Sequence, residues 1–264
     1  MIFSDMTRPE LDRADRNAVV VLPLGSTEQH GPHLPVDTDT RIVTALCRAL
    51  EGRMAGQVML APTQWLGHSP HHLDFGATIS AHHMVYSQML EQVVECFAGM
   101  GYRRIVMVNG HGGNQMPVSL AQQEIKLRRP GLMLCSCCYW DLAREALLEL
   151  REGGEGSMGH ACELETSLYL YLKGDAVRRD AICDAGRRDP SGYIGYGMFS
   201  GGSVSYLANF SEFTETGAFG KPSLASAEKG EKMFYACVDA LEGLIRMLYE
   251  RETLRTLDIP ESKA

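Results

Sequence analysis

Short apolar runs alternate with stretches of helical periodicity along most of the chain. Ala18–Leu24 is a valine-rich apolar run, which predicts a strand buried on both faces. Asp39–Met54 follows as a helix, with Ile42, Val43, Leu46 and Leu50 at helical spacing. Val58–Ala61 reads as a short strand stopped by Pro62. Ser80 is placed to cap a helix reaching about Ala98, with Met84, Met89, Leu90 and Val93 turned inward. Arg104–Val108 and Leu132–Cys138 read as further strands. Asn114–Arg128, Asp141–Glu152, Ala161–Lys173 and Leu224–Arg251 read as helices. Strands alternating with helices build βαβ units. The pattern therefore predicts one α/β domain over residues 1–264, a mostly parallel sheet between two helical layers (three layers, α/β/α). Residues 185–222 are rich in glycine and lack periodicity, so they read as an extended excursion, a lid or a subunit contact.

Composition narrows the function classes. The chain has 264 residues, is 45% hydrophobic and 22% charged, and carries a net charge of −8. This is a globular composition, and the acidic surface offers no dense basic run to a nucleic acid. A small-molecule substrate is expected, with no nucleic-acid partner. No apolar run approaches the ~18–20 residues of a membrane span, and the first residues lack the basic-then-apolar order of a signal peptide. A cytoplasmic location is therefore expected. The 8 cysteines include one C-x-x-C spacing, Cys135 to Cys138. They read as reduced thiols, those of Cys135, Cys137 and Cys138 in a buried strand.

Four polar clusters contain all 9 histidines except His82 and His83. Those two begin a predicted helix and read as structural. Two of the clusters directly follow predicted strands, which places them at the carboxyl edge of the sheet. The first is Gly25-Ser26-Thr27-Glu28-Gln29-His30-Gly31-Pro32-His33, then Asp37 and Asp39. Glu28 and His30, two apart in an extended segment, point the same way. Glu28, His30 and Asp39 are candidate metal ligands, since carboxylates and imidazoles together suit Zn, Mn or Fe. His33 and Asp37 read as loop, capping or supporting residues. The second cluster is Asn109-Gly110-His111-Gly112-Gly113-Asn114, with His111 a candidate ligand and Asn114 a candidate cap. A phosphate-binding loop here would need a G-x-x-x-x-G-K-[ST] or G-x-G-x-x-G pattern, and this cluster has neither.

In the third cluster, Gly159-His160-Ala161-Cys162-Glu163-Leu164-Glu165, His160 and Glu163 lie three apart and would share a helical face. Glu163 could complete a metal site, with His160 as acid/base or substrate-orienting group. Glu163 and Glu165 could equally be solvated charges of a first helical turn. The fourth, Trp65-Leu66-Gly67-His68-Ser69-Pro70-His71-His72, looks like a pocket wall. Trp65, His72, Gly112 and Gly113 are the expected substrate-facing positions. Neither G-x-S-x-G nor H-E-x-x-H is present.

GSTEQHGPHLPVDTDT, HSPHHLDFGATIS, VNGHGGN, GHACELETS and GAFGKPSLASAEKG, in this order from about Val19 to Gly230, resemble the creatininase (creatinine amidohydrolase) family. The resemblance implies an α/β/α domain, two divalent ions per chain (Zn, Mn or Fe) and a homohexamer built as a trimer of dimers. It implies that Glu28, Asp39 and His111 bind one metal, and that His30 and Asp39 bind the other, with Asp39 bridging. It places His160 beside the substrate. Creatininase itself has a ligand Glu where this chain has Gly113, which makes Glu163 the expected replacement, as ligand or as acid/base. The expected activity is hydrolysis of a C–N bond in a small cyclic or formyl amide by a metal-bound hydroxide. Hydrolytic C–C opening of an oxidised inositol-type ring, a metal-dependent sugar isomerase or lyase, and a non-catalytic scaffold are the alternatives.

Overall fold

The computed structural model describes residues 1–186, 191–195, 197–199 and 202–251. Four strands, β1 (Val19–Leu24), β2 (Val58–Leu60), β3 (Arg104–Asn109) and β4 (Met133–Cys138), form one parallel sheet in the order β2-β1-β3-β4. Its helices are α1 (Arg8–Arg13), α2 (Thr38–Arg53), α3 (His83–Gly99), α4 (Gln115–Arg128), α5 (Tyr139–Leu142), α6 (Arg144–Leu150), α7 (Glu163–Lys173) and α8 (Ala227–Glu250).

The predicted α/β architecture is present, and strand alternation explains its layers. Val19 and Val21 of β1, with Val106 and Val108 of β3, enter an apolar cluster with α2, α7 and α8. Val20, Leu22, Ile105 and Met107 point the other way, onto Tyr86, Leu90 and Val94 of α3 and Val118, Ala121 and Ile125 of α4. Successive side chains on opposite faces thus each find a helical layer. Pro23 is tolerated in this central strand because β2 has already ended at Leu60; beyond it, Gln64 donates to the Pro23 carbonyl at 2.9 Å. No helix among the described residues is long and apolar enough to cross a membrane.

Several boundaries differ from expectation for local reasons. The helix expected from Ser80 begins at His83, capped by the His82 imidazole, because the Ser80 hydroxyl instead accepts the Ser69 N–H at 2.8 Å. Met84 is exposed there and Tyr86 takes the inward place. The helix expected over Asp141–Glu152 is two short ones, α5 and α6. Asn114 does not cap α4 with its side chain; its amide joins three loops, accepting from His68 N and donating to the Gly25 carbonyl and Asn109 Oδ1. β4 lies at the edge of the sheet, so Cys135 and Cys137 are only partly buried, while Cys138 is buried. All eight cysteines are free thiols, as expected.

α7 packs closely against α8 at Gly230. A Cβ at Gly230 would stand 1.9 Å from the Ser167 carbonyl oxygen. Gly230→Ala should therefore cost about 1–3 kcal/mol through overpacking, and lower the melting temperature by about 2–4 °C for each kcal/mol. An unchanged melting curve would contradict so close a contact.

Candidate active site

Parallel strands bring the segments after their carboxyl ends to one edge of the sheet. Leu24 pairs with Asn109, so the loops that follow β1 and β3 emerge side by side. Asn109 shapes the second loop: its amide donates to the His111 carbonyl at 2.7 Å and accepts the His111 N–H at 3.2 Å. Asp39 enters from the first turn of α2. His160 is held by a strap, exchanging backbone hydrogen bonds with Phe219 at 2.9 and 2.7 Å.

Glu28, His30, Asp39 and His111 come together as the sequence suggested, and all four are buried. Each imidazole is oriented by the partner of its other nitrogen. His30 Nδ1 donates to the Glu28 carbonyl at 3.1 Å, which turns Nε2 toward Asp39 Oδ1 at 3.1 Å and Glu165 Oε1 at 4.0 Å. His111 Nε2 is held by the His68 carbonyl and the Ser69 hydroxyl, each at 3.1 Å. Its Nδ1 faces Glu28 Oε1 and Asp39 Oδ2, each at 3.2 Å.

Three sets of residues each bring three ligand atoms within 4.8 Å of one another: Glu28, Asp39 and His111; His30, His160 and Glu165; Glu28, His72 and His160. Glu28 Oε1, Asp39 Oδ2 and Glu165 Oε2 are buried without a hydrogen-bond partner. Buried, unpartnered carboxylate oxygens turned toward imidazole nitrogens are the donor set of a divalent transition metal, so the residues fit the implied ions.

Electrostatics separates the histidines. Burial would depress His30, but the adjacent Asp39 carboxylate, with Glu165 and Glu28, raises it to about 10. Burial likewise opposes the charge of His111, which Glu28 and Asp39 nevertheless raise above its ordinary value. Against the cost of burial, His30 and His111 hold Asp39 well below the usual carboxylate range. Burial pushes Glu165 up to about 7, although His30 opposes it. Burial and the neighbouring His30 push His160 down to about 3. His160 is thus neutral, with its Nε2 proton donated to the Gln29 carbonyl at 2.8 Å and Nδ1 facing Glu28 Oε1 at 3.7 Å.

Glu163 does not join this cluster. Its carboxylate accepts from Lys229 Nζ at 2.8 Å and from the backbone N–H groups of Glu152 and Gly153 at 2.8 and 3.1 Å. The carboxylate facing the site is Glu165, two residues on and so about 200° round the helix. His160 and Glu163 share no helical face, because Ala161 has φ of 49° and Cys162 is extended, so α7 begins only at Glu163. Both carboxylates are buried, which also removes the solvated-turn alternative.

The site floors a cavity of about 320 Å³ whose lining includes His72, Gly112 and Gly113, as expected. A Cβ at Gly113 would lie 2.5 Å from His111 Nε2 and 2.2 Å from the His68 carbonyl, so this loop conformation excludes any side chain there. Trp65 is not part of the lining and is 52% exposed. The pairing of Leu24 with Gln64 carries its loop along the strand ends, and its carbonyl is taken by the Thr27 hydroxyl. Trp140, which immediately follows the first residue of α5, lines the cavity instead. His33 and Asp37 act outside the cluster: His33 Nε2 meets the Thr166 hydroxyl at 2.9 Å, and Asp37 takes Arg41 and the Tyr169 hydroxyl.

A carboxylate–imidazole cluster at the carboxyl edge of a parallel sheet, at the floor of a cavity, is the arrangement of a metal-dependent hydrolase. A family model described as creatinine amidohydrolase matches residues 4–245. The chain belongs to the creatininase family. It is 36% identical over 233 residues to the mycofactocin precursor peptide peptidase of Mycobacterium tuberculosis, covering 83% of this chain and 81% of that protein. It is 29% identical over 273 residues to the 3-dehydro-scyllo-inosose hydrolase of Thermotoga maritima, covering 94% and 84%. A mutant creatininase of Zn–Zn type superposes with a TM-score of 0.79 at 25% identity, covering 95% of this chain and 98% of that one.

Metal analysis distinguishes the two carboxylates of α7. Glu165→Gln should lower the bound transition metal relative to wild type, whereas Glu163→Gln should leave it unchanged; the reverse result would return Glu163 to the site. Metal uptake should also expel protons. In the metal-free chain His30 keeps its proton up to about pH 10, and Glu165 keeps its own below about 7. His111, also raised, must lose its proton as well, so affinity should rise about tenfold per pH unit for each imidazole proton released, and more steeply below pH 7. Titration calorimetry in buffers of different ionisation enthalpy reads this directly, and uptake without proton release would contradict it.

Proposed function

We propose that the chain is a binuclear metal-dependent hydrolase that cleaves the C–N bond of an amide in a small substrate. The observation that carries this reading is the convergence of Glu28, Asp39, Glu165 and His111 in the cavity lining, with His30 Nε2 3.1 Å from Asp39. Glu28, Asp39 and His111 would hold one cation, and His30, Asp39 and Glu165 the other, with Asp39 shared. Zinc, manganese and iron all suit such donors. When bound, divalent cations lower the pKa of a water and polarise a carbonyl oxygen.

The remaining chemistry falls to the chain. His160 presents an unprotonated Nδ1 beside Glu28 and accepts the proton that must leave the attacking water. It returns that proton to the departing nitrogen, without which an amine cannot leave. Gln29 fixes the neighbouring ring: its Oε1 takes the Gly31 N–H and its Nε2 donates to the Gly217 carbonyl, so Nε2 also donates to His72 Nδ1 at 2.8 Å. The His72 proton is then on Nε2, 3.3 Å from Glu28 Oε1, where it steadies that carboxylate. The relative named as a peptide peptidase supports the choice of an amide. The relative named as an inosose hydrolase keeps ring opening beside a ketone as the second reading. The family homohexamer and a reducing, cytoplasmic setting, the latter consistent with eight free thiols, complete the proposal.

His160→Ala should lower kcat by about 10²–10⁴-fold while the metal content stays that of wild type. Turnover in ¹⁸O-water should place one solvent oxygen in the carboxylate product. Turnover without solvent oxygen would favour an isomerase or lyase and overturn hydrolysis.

A further inference from the structure

The wall of the cavity opposite the charged floor is apolar, formed by Trp140, Met198, Tyr206, Phe210, Phe213 and Phe219. Tyr206, Phe210 and Phe213 belong to the glycine-rich excursion, and none of the three joins the apolar clusters that pack the sheet. Their placement is nevertheless built. Phe210 begins a 3-10 turn, Phe210–Glu212, closed by a capping box between Asn209 and Glu212. The Tyr206 hydroxyl donates to Glu212 at 3.0 Å. The Ser211 hydroxyl donates to Asp74 at 2.7 Å, tying this turn to the Pro70–Phe75 turn that carries His71 and His72. The outcome is a Phe210 ring centred 4.4 Å from His72 and 4.9 Å from His160.

An aromatic ring held over the two imidazoles has little reason to be there for the core, since it leaves the core untouched. We infer that Phe210, with Phe213, Tyr206 and Trp140, is the specificity subsite of the enzyme, and that it accepts an aromatic or bulky apolar group flanking the scissile amide. A polyol or a glycine-like group would bury this surface with nothing to offer it, whereas an aromatic ring gains both apolar burial and ring stacking. The inference rests on the amide reading above but concerns binding, so it can be tested apart from turnover.

The test is calorimetric titration of the metal-loaded full-length protein with N-acetylphenylalaninamide, N-acetylglycinamide and myo-inositol, with product analysis of the same mixtures. Wild type should bind the phenylalanine probe at least about tenfold more tightly than the glycine probe, the scale expected for burying one large apolar side chain. Phe210→Ala should reduce that ratio to about threefold or less. Phe210→Leu, which keeps an apolar wall, should fall between. Asp74→Ala, which frees the turn, should weaken the phenylalanine probe several-fold without touching the floor. Equal binding of the two amides, tighter binding of myo-inositol, or a preference that survives Phe210→Ala would each overturn the subsite. If the binding preference holds while no amide is cleaved, the subsite stands and the amide reading of the reaction falls.

Discussion

Burying three carboxylates against one another costs several kcal/mol, on the order of the desolvation of each ion, unless positive charge is held between them. Glu28, Asp39 and Glu165 are in that position, each at most 4% exposed. Protonated His30 and His111 answer part of this charge, as their raised pKa values show. Divalent cations would answer it fully and would release the imidazoles as neutral ligands. The floor of the site is therefore a concentration of negative charge that the fold tolerates because cations belong in it.

The rest of the molecule holds this charge in place. The pairing of Leu24 with Asn109 sets two loops side by side, and the Asn109 and Asn114 amides lock the second loop against the first. The Lys229–Glu163 pair does similar work at the far side. It anchors the start of α7 to α8, and thereby fixes the phase at which Glu165 meets His30. Gly113 leaves the space that a side chain would take from the His111 ring. Over this floor, the excursion lays an aromatic wall through contacts to the turn that carries His72.

Glu28, His30, Asp39 and His111 were legible because each lies within or just after a loop that directly follows a strongly apolar strand, and parallel strands converge at one edge. The layers were legible for the same reason, from the alternation of apolar runs and helical periods. Glu165 was not, because the phase of α7 depends on one left-handed residue, Ala161, that carries no sequence signal of the glycine kind. With His160 outside the helix, counting three residues to Glu163 pointed at the wrong carboxylate. Trp140 takes the cavity position expected of Trp65, because an aromatic in a loop and one near the end of a strand look alike until strand pairing decides which faces the cavity. Phe210 was hidden in a segment without periodicity, where hydrogen bonds between side chains distant in sequence, such as Ser211 to Asp74, set the geometry.

Anomalous X-ray scattering from crystals of the zinc- or manganese-loaded protein, measured at the absorption edge of the metal, tests the central claim most directly. Two peaks per chain are expected, one bounded by Glu28, Asp39 and His111 and the other by His30, Asp39 and Glu165, both in contact with Asp39. A single peak, a second peak at Glu163, or two peaks that do not share Asp39 would contradict the account.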